Sequence, residues 1–299
     1  MQDLYTRITD KIITELEAGT VPWIRPWNGG DDPFPRNALT QRPYRGINTI
    51  LLGLEAELQG YGTNQWLTLR QANKLGGKVR KGETSSSVIW YELKLVEKEA
   101  DESMETDGDT QRKYVPLLKA FHVFNLDQID GLPEEYTQRI PDAPDWEPSH
   151  RAEQIMARSE AVIRHSGFKA FYSPPNDIIY LPAQSAFADA TSYYGTALHE
   201  LSHWTGHSKR LGRKLGRRFG EAAYAMEELI AEMSAAFLCA HCRLEGRLQH
   251  SSYIANWLEV LHRDKRALFV AAAQAQKSAD YLLEHAGLIH PEDAMPIAA

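Results

Sequence analysis

The segment SYYGTALHELSHWTGH, residues 192–207, decides how this chain is read. Its apolar positions recur at helical spacing, and His199 and His203 stand four residues apart on one face. Two imidazoles so placed can reach one metal ion. Glu200, next to the first of them, is placed to act as a general base on water and not as a ligand. A short H-E-x-x-H match also arises by chance, so its surroundings must carry the assignment. Gly206 is expected to stop the helix through a left-handed cap, which glycine adopts cheaply.

A site of this kind needs a third protein ligand and an open position. The metzincin spacing would place a histidine at position 209, where the chain has Lys209. His207 lies beyond Gly206 and is the weaker alternative. The better source is the apolar helix predicted over 221–243, where Glu227, Glu228 and Glu232 are costly to bury unless they meet a cation. Glu228 and Glu232 share a face, whereas Glu227 is turned about 100° away and reads as solvated. An E-x-x-x-E after H-E-x-x-H resembles the gluzincin branch of zinc peptidases. That resemblance implies Glu228 as the third ligand, with Glu232 behind it orienting a ligand histidine. The reverse order, and a helix that merely carries salt bridges, stay open.

Around this centre the second half reads as mostly helical. A helix is expected over 150–166, short strands near 168–172 and 177–181, and further helices over 191–205, 251–275 and 277–286. The strand 177–181 is expected at a sheet edge, where an extended peptide could add. Tyr193, Tyr194 and Tyr224 could polarise an oxyanion, but packing suits each better. Cys239 and Cys242 fall in mid-helix, away from the N-terminus that lowers a thiol pKa, and read as buried thiols.

The first half has predicted helices at 2–18, 46–60 and 68–75, the last capped by Thr68. Strand-like runs at 87–96 and 114–125 form a hairpin whose tip, 97–109, is acidic and nearly free of apolar residues. Residues 127–149 are acidic and proline-rich and read as a linker. The expected organisation is therefore α+β, with a strand-containing unit at 1–126 and a mostly helical metal-binding unit at 150–299. With 43% apolar and 24% charged residues among 299, fibrous and wholly disordered classes are excluded. Two cysteines make no disulfide framework, and no apolar run approaches the ~18 residues of a membrane span. The expectation is a cytoplasmic protein with no membrane partner.

Net charge is −7, which by itself argues against nucleic acid. Its distribution changes that reading. Stretches 97–109 and 127–147 each hold seven acids and one base, −6 apiece, so the remaining residues sum to +5. Trp23, Trp27, Tyr44 and Trp66 are interleaved with Arg45 and other arginines, and a basic turn carries Lys74, Lys78, Arg80 and Lys81. Cations with stacking rings suit single-stranded nucleic acid. Each tryptophan taken singly also fits a core. A second basic run, 209–218, has six cations in ten residues and reads equally as a solvated loop or an anion contact.

Together these residues resemble the ArdC-type antirestriction family. The first half carries Val21-Pro-Trp23, Pro26-Trp27, Tyr44-Arg-Gly46-Ile-Asn48, Trp66-Leu-Thr68 and Gly76-Gly77-Lys78-Val-Arg80-Lys81-Gly82. The second carries His199-Glu200-x-x-His203-Trp204-Thr205-Gly206-His207, Arg210-Leu211 and Glu227-Glu228-Leu-x-Ala231-Glu232. The likeness runs over about 10–245. It implies a conjugative-plasmid protein with a single-stranded-DNA-binding domain and a zincin-like, gluzincin-type domain holding Zn2+ or another divalent metal such as Mn2+. Such a protein would shield incoming DNA from host restriction. An alternative is an active protease whose substrate belongs to the host restriction system. A weaker one is an interaction protein that mimics DNA with its acidic stretches.

Overall fold

The computed structural model describes residues 3–18, 21, 34–97, 112–137, 148–167, 169–187, 189–213, 222–244 and 254–290. Helix α1 (Leu4–Glu17) starts at Asp3, whose side chain accepts from the Thr6 N–H at 2.9 Å. Then follow β1 (Arg36–Asn37), α2 (Ile47–Gln59), β2 (Gln65–Thr68) and α3 (Leu69–Lys74). The first half continues through β3 (Lys78–Val79), β4 (Ser86–Glu97), β5 (Arg112–Asn125), β6 (Ile129–Asp130) and α4 (Glu134–Thr137). One sheet has the order β1-β2-β5-β4, with β1 parallel to β2 and the other pairs antiparallel. The expected hairpin is β4–β5, paired from Ser86↔Val123 to Glu97↔Arg112. Its tip at 98–111 lies outside the described residues.

Thr68 caps α3 as expected, in a reciprocal capping box with Gln71. The turn after α3 needs glycine at position 77, where a Cβ would stand 2.7 Å from both Ile129 Cγ2 and Leu132 Cδ2. This close approach brings β3 onto β6, pairing Lys78 with Asp130. The expected linker 127–149 thus begins as ordered structure. β6 and α4 fall within it, and Leu132 and Tyr136 pack against Ala38, Leu67, Leu126 and Ile129. Residues 138–147 lie outside the described ones.

The second half comprises α5 (Pro148–Arg158), β7 (Val162–His165), β8 (Phe171–Ser173), β9 (Ile178–Leu181) and α6 (Ala190–Thr205). It ends with α7 (Ala222–His241), α8 (Ile254–Arg263) and α9 (Ala267–His285). Two expected helices are corrected. The helix predicted to reach 166 stops at Arg158; Glu160 takes a left-handed φ of 62°, and the chain turns into β7. The break predicted at 276 falls instead at Asp264–Arg266, where Asp264 Oδ1 accepts from the Arg266 N–H at 2.8 Å. Nothing in the alanine-rich run after it interrupts α9.

The three short strands form a sheet ordered β7-β9-β8, with β9 parallel to β7 and antiparallel to β8. The strand expected at an edge, 177–181, is therefore central, and the edges belong to β7 and β8. α7 packs between α6, α8 and α9.

The two halves share one core. Ile8, Ile12, Ile13 and Leu16 of α1, with Ile50, Leu51 and Leu54 of α2, are buried in the same cluster as Leu229, Trp257, Leu261 and Leu268. Polar ties cross the seam as well. Thr9 donates to the Lys265 carbonyl at 2.7 Å, the Gly46 N–H to Gln276 at 2.9 Å, and Arg45 is paired with Asp280. Among the described residues no helix is long and apolar enough to cross a membrane.

Candidate metal centre

α6 begins at Asp189, which accepts from the Ser192 N–H at 2.7 Å, and buries Leu198, Leu201 and Trp204. This holds the other face, with His199 and His203, toward α7. Gly206 does not end the helix as expected: its φ of −72° is right-handed. The chain folds back instead, with the Leu211 N–H bonded to the Thr205 carbonyl and Arg213 N–H to that of Gly206. The left-handed glycine of this loop is Gly212, at φ 63°.

His199 Nε2 and His203 Nε2 lie 3.1 Å apart, and each is 3.6 Å from an oxygen of Glu228. A tetrahedral ion with ~2.0–2.1 Å bonds separates its ligand atoms by about 3.4 Å. The three groups therefore fit a divalent metal without rearrangement, and they are the one such cluster among the described residues.

The far nitrogens are held too. His199 Nδ1 lies 3.6 Å from Glu232 Oε1, and His203 Nδ1 lies 3.2 Å from Glu227 Oε1. An N–H on Nδ1 that faces a carboxylate leaves the Nε2 lone pair toward the ion. Glu227, expected to be solvated, is buried. Arg213 clamps it through two bonds, Nε to Oε2 at 3.0 Å and Nη2 to Oε1 at 2.8 Å. Arg213 also donates to Thr205 Oγ1 and the Ser202 carbonyl, which fixes its guanidinium against the end of α6. The helical turn of about 100° from Glu228 points Glu227 not at solvent but at His203 and Arg213, which occupy the space it faces. The available signal was the cost of a third carboxylate in so apolar a helix.

Three buried carboxylates, Glu227, Glu228 and Glu232, surround the two imidazoles. Burial works against ionised Glu228, yet the facing imidazoles of His199 and His203 outweigh it and lower its pKa. Burial likewise opposes charge on His203, but Glu227 and Glu228 raise its pKa well above the usual imidazole value. Burial pushes the Glu200 carboxyl up. The backbone of Tyr172 in β8 lies beside Glu200 and acts against that rise. The adjoining hairpin is braced from below. Tyr172 donates to Asp177 at 2.8 Å, and Arg210 bonds Asp177 and the Trp204 carbonyl while its guanidinium lies 3.7 Å over the Trp204 ring.

The remaining predicted residues distribute unevenly. His207 is outside the cluster and accepts from the Lys209 N–H. Tyr193 and Tyr194 are buried and bonded to His165 and Glu153, which suits packing. Cys239 and Cys242 are free, buried thiols with raised pKa values, Cys242 to about 12 by burial. Arg210 and Arg213 take the basic run out of the solvated-loop reading, and 214–218 lie outside the described residues.

Of the predicted nucleic-acid contacts, Trp23 and Trp27 lie outside the described residues. Trp66 is corrected: it is 0% exposed, packed with Leu52, Ala56, Val88 and Val123, and presents no face to a base. Tyr44 is packed against that same cluster. Arg45 is held by Asp280 across the seam, and Arg80 by Glu83 and Asp130. Lys74, Lys78 and Lys81 are exposed.

A helix bearing H-E-x-x-H, faced by a carboxylate of the next helix and flanked by a short sheet, defines a zincin-like metallopeptidase domain. The family model so described matches residues 150–274, and that for the N-terminal domain of anti-restriction factor ArdC matches 2–124. The crystal structure of antirestriction ArdC from plasmid R388, metal-free, superposes with a TM-score of 0.79 at 42% identity, over 97% of this chain and all of that one. Its Mn(II)-bound form gives 0.77 at 40%, with the same coverage. The chain belongs to the ArdC antirestriction family. The uncharacterised protein y4eC of Sinorhizobium fredii is 39% identical over 94% of this chain and 91% of its own length. A DNA primase, TraC, of Escherichia coli is 37% identical over 93% of this chain, which spans 27% of that protein.

Proposed function

We propose that this protein binds single-stranded DNA and so protects incoming plasmid DNA from restriction in a recipient cell. The likeness to ArdC along the whole chain supports the antirestriction role. The observation that carries the DNA contact is the set of exposed lysines Lys74, at the end of α3, Lys78, in β3, and Lys81, in the turn after β3. Each phosphate neutralised by one of them releases a counterion, so binding should weaken with salt. Replacing all three by alanine is expected to lower affinity for an oligothymidylate and to flatten the salt dependence. An unchanged slope removes this patch.

A second reading, metal-dependent peptide hydrolysis, is favoured by one observation: buried Glu200 lies against the backbone of edge strand β8. His199, His203 and Glu228 would hold the metal, Zn2+ or Mn2+, with Glu232 and Glu227 orienting the histidines. Bound there, a divalent cation supplies a Lewis acid that polarises a carbonyl and makes water a better nucleophile. An extended peptide adding to β8 would bring its carbonyl beside Glu200. Glu200 takes the proton as water attacks the carbonyl carbon, and returns it to the amine nitrogen as the C–N bond breaks.

Transfer of plasmid DNA into a restricting recipient separates the two readings through Glu200→Gln. Full protection by that variant excludes hydrolysis as the protective step. Loss of protection with normal folding and metal content excludes protection by coating alone.

A further inference from the structure

The outer face of the β7-β9-β8 sheet takes no part in the site described above. The strand pairing places Arg164, Tyr180 and Phe171 in one row across the three strands, with Val162, Ile178 and Ser173 in the row beside it. The alternate residues Tyr172, Ile179 and Leu181 are buried on the α6 side, so these two rows face solvent. Phe171 is 47% exposed and Val162 51%. The Phe171 and Tyr180 rings are stacked, with centroids 4.9 Å apart and planes inclined by 21°. Arg164 is exposed at the end of the same row, and the six residues include no carboxylate.

We infer that this row is a base-stacking platform for single-stranded DNA, a contact separate from the lysines of the first half. The inference rests on the DNA-binding reading above and adds a second surface to it. Two near-parallel rings, the outer one half-exposed at the sheet edge, offer what an unpaired base needs, and a guanidinium in the same row offers what its phosphate needs. Duplex DNA keeps its bases stacked inside and cannot use such rings. A protein partner is the poorer match, because a cation interrupts a small apolar area that has only two rings and two aliphatic side chains.

The test measures oligothymidylate binding to the whole chain by fluorescence anisotropy across a salt series. Phe171→Ser combined with Tyr180→Ser is expected to weaken binding roughly tenfold or more, whereas Tyr180→Phe keeps the stacking and the affinity. Arg164→Ala is expected to reduce the salt slope by about 0.7. Arg164→Glu, at an exposed position, should weaken binding without unfolding and serves if the double variant fails to take up metal normally. Wild-type affinity in the ring variants and in Arg164→Glu, alongside weakened binding by the lysine variant, overturns the platform and leaves the DNA reading standing. Failure of the unaltered protein to bind the oligonucleotide overturns both.

Discussion

Glu227→Gln removes one charge from a pair that is almost completely dry: the Arg213 side chain is 4% exposed and that of Glu227 5%. The guanidinium stays where it is, tied to Thr205 and the Ser202 carbonyl, but its two carboxylate bonds at 2.8 and 3.0 Å lose their charge. Removing one partner of a buried ion pair costs about 3–5 kcal/mol. The amide can still accept from His203, so the loss of metal affinity should stay within the roughly 10–100-fold typical of groups that orient ligands. Urea unfolding of the metal-free protein and calorimetric titration with Zn2+ or Mn2+ read the two effects separately. Arg213→Met alone should destabilise comparably, and the double variant should cost less than the two singles together by about 0.5–3 kcal/mol. A Glu227→Gln protein that unfolds at the wild-type urea concentration and binds metal as tightly would refute this account of the clamp.

Glu228→Ala should abolish stoichiometric metal uptake while Glu232→Ala only weakens it; metal analysis after dialysis in the opposite order would exchange their roles. The hydrogen bond from Arg210 lowers the Asp177 pKa from 3.8 to about 2. The resulting stabilisation is present above pH 3.8 and lost as pH falls through about 2. Asp177→Asn should therefore be less stable at neutral pH and show a flatter acid limb in thermal unfolding; an identical pH profile would rule the pair out. Trp66→Ala should destabilise by about 3–5 kcal/mol, measured by urea unfolding, because it empties a packed core site. A variant of wild-type stability with weakened DNA binding would reinstate the ring as a contact.

What could be read from the sequence was local. The imidazole pair needs only the four-residue turn of a helix, the α3 cap only Thr68 and Gln71, and the β4–β5 hairpin only two apolar runs around an acidic gap. What could not be read was decided across the chain. Glu227 is buried because Arg213, fourteen positions earlier, is folded back under it. Trp66 looks like Trp23 and Trp27 in the sequence, and only its packing with Leu52 and Ala56 of α2, Val88 of β4 and Val123 of β5 shows that it is core. Val162–His165 is too short for periodicity to separate strand from helix, and its partner β9 decides the matter. α6 ends at Thr205 because the 207–213 loop returns onto its last carbonyls, and not through a left-handed Gly206.

Because the two halves share one core, truncation cannot dissect them. Cutting the chain in the acidic stretch would carry Ile8, Ile12, Ile13 and Leu16 away from their partners around Trp257 and Leu268, leaving both fragments with a greasy wound. Deletion of either half would then report on insolubility and chaperone capture before it reported on DNA or metal. Function in this fold is separable by single side chains, and not by scissors.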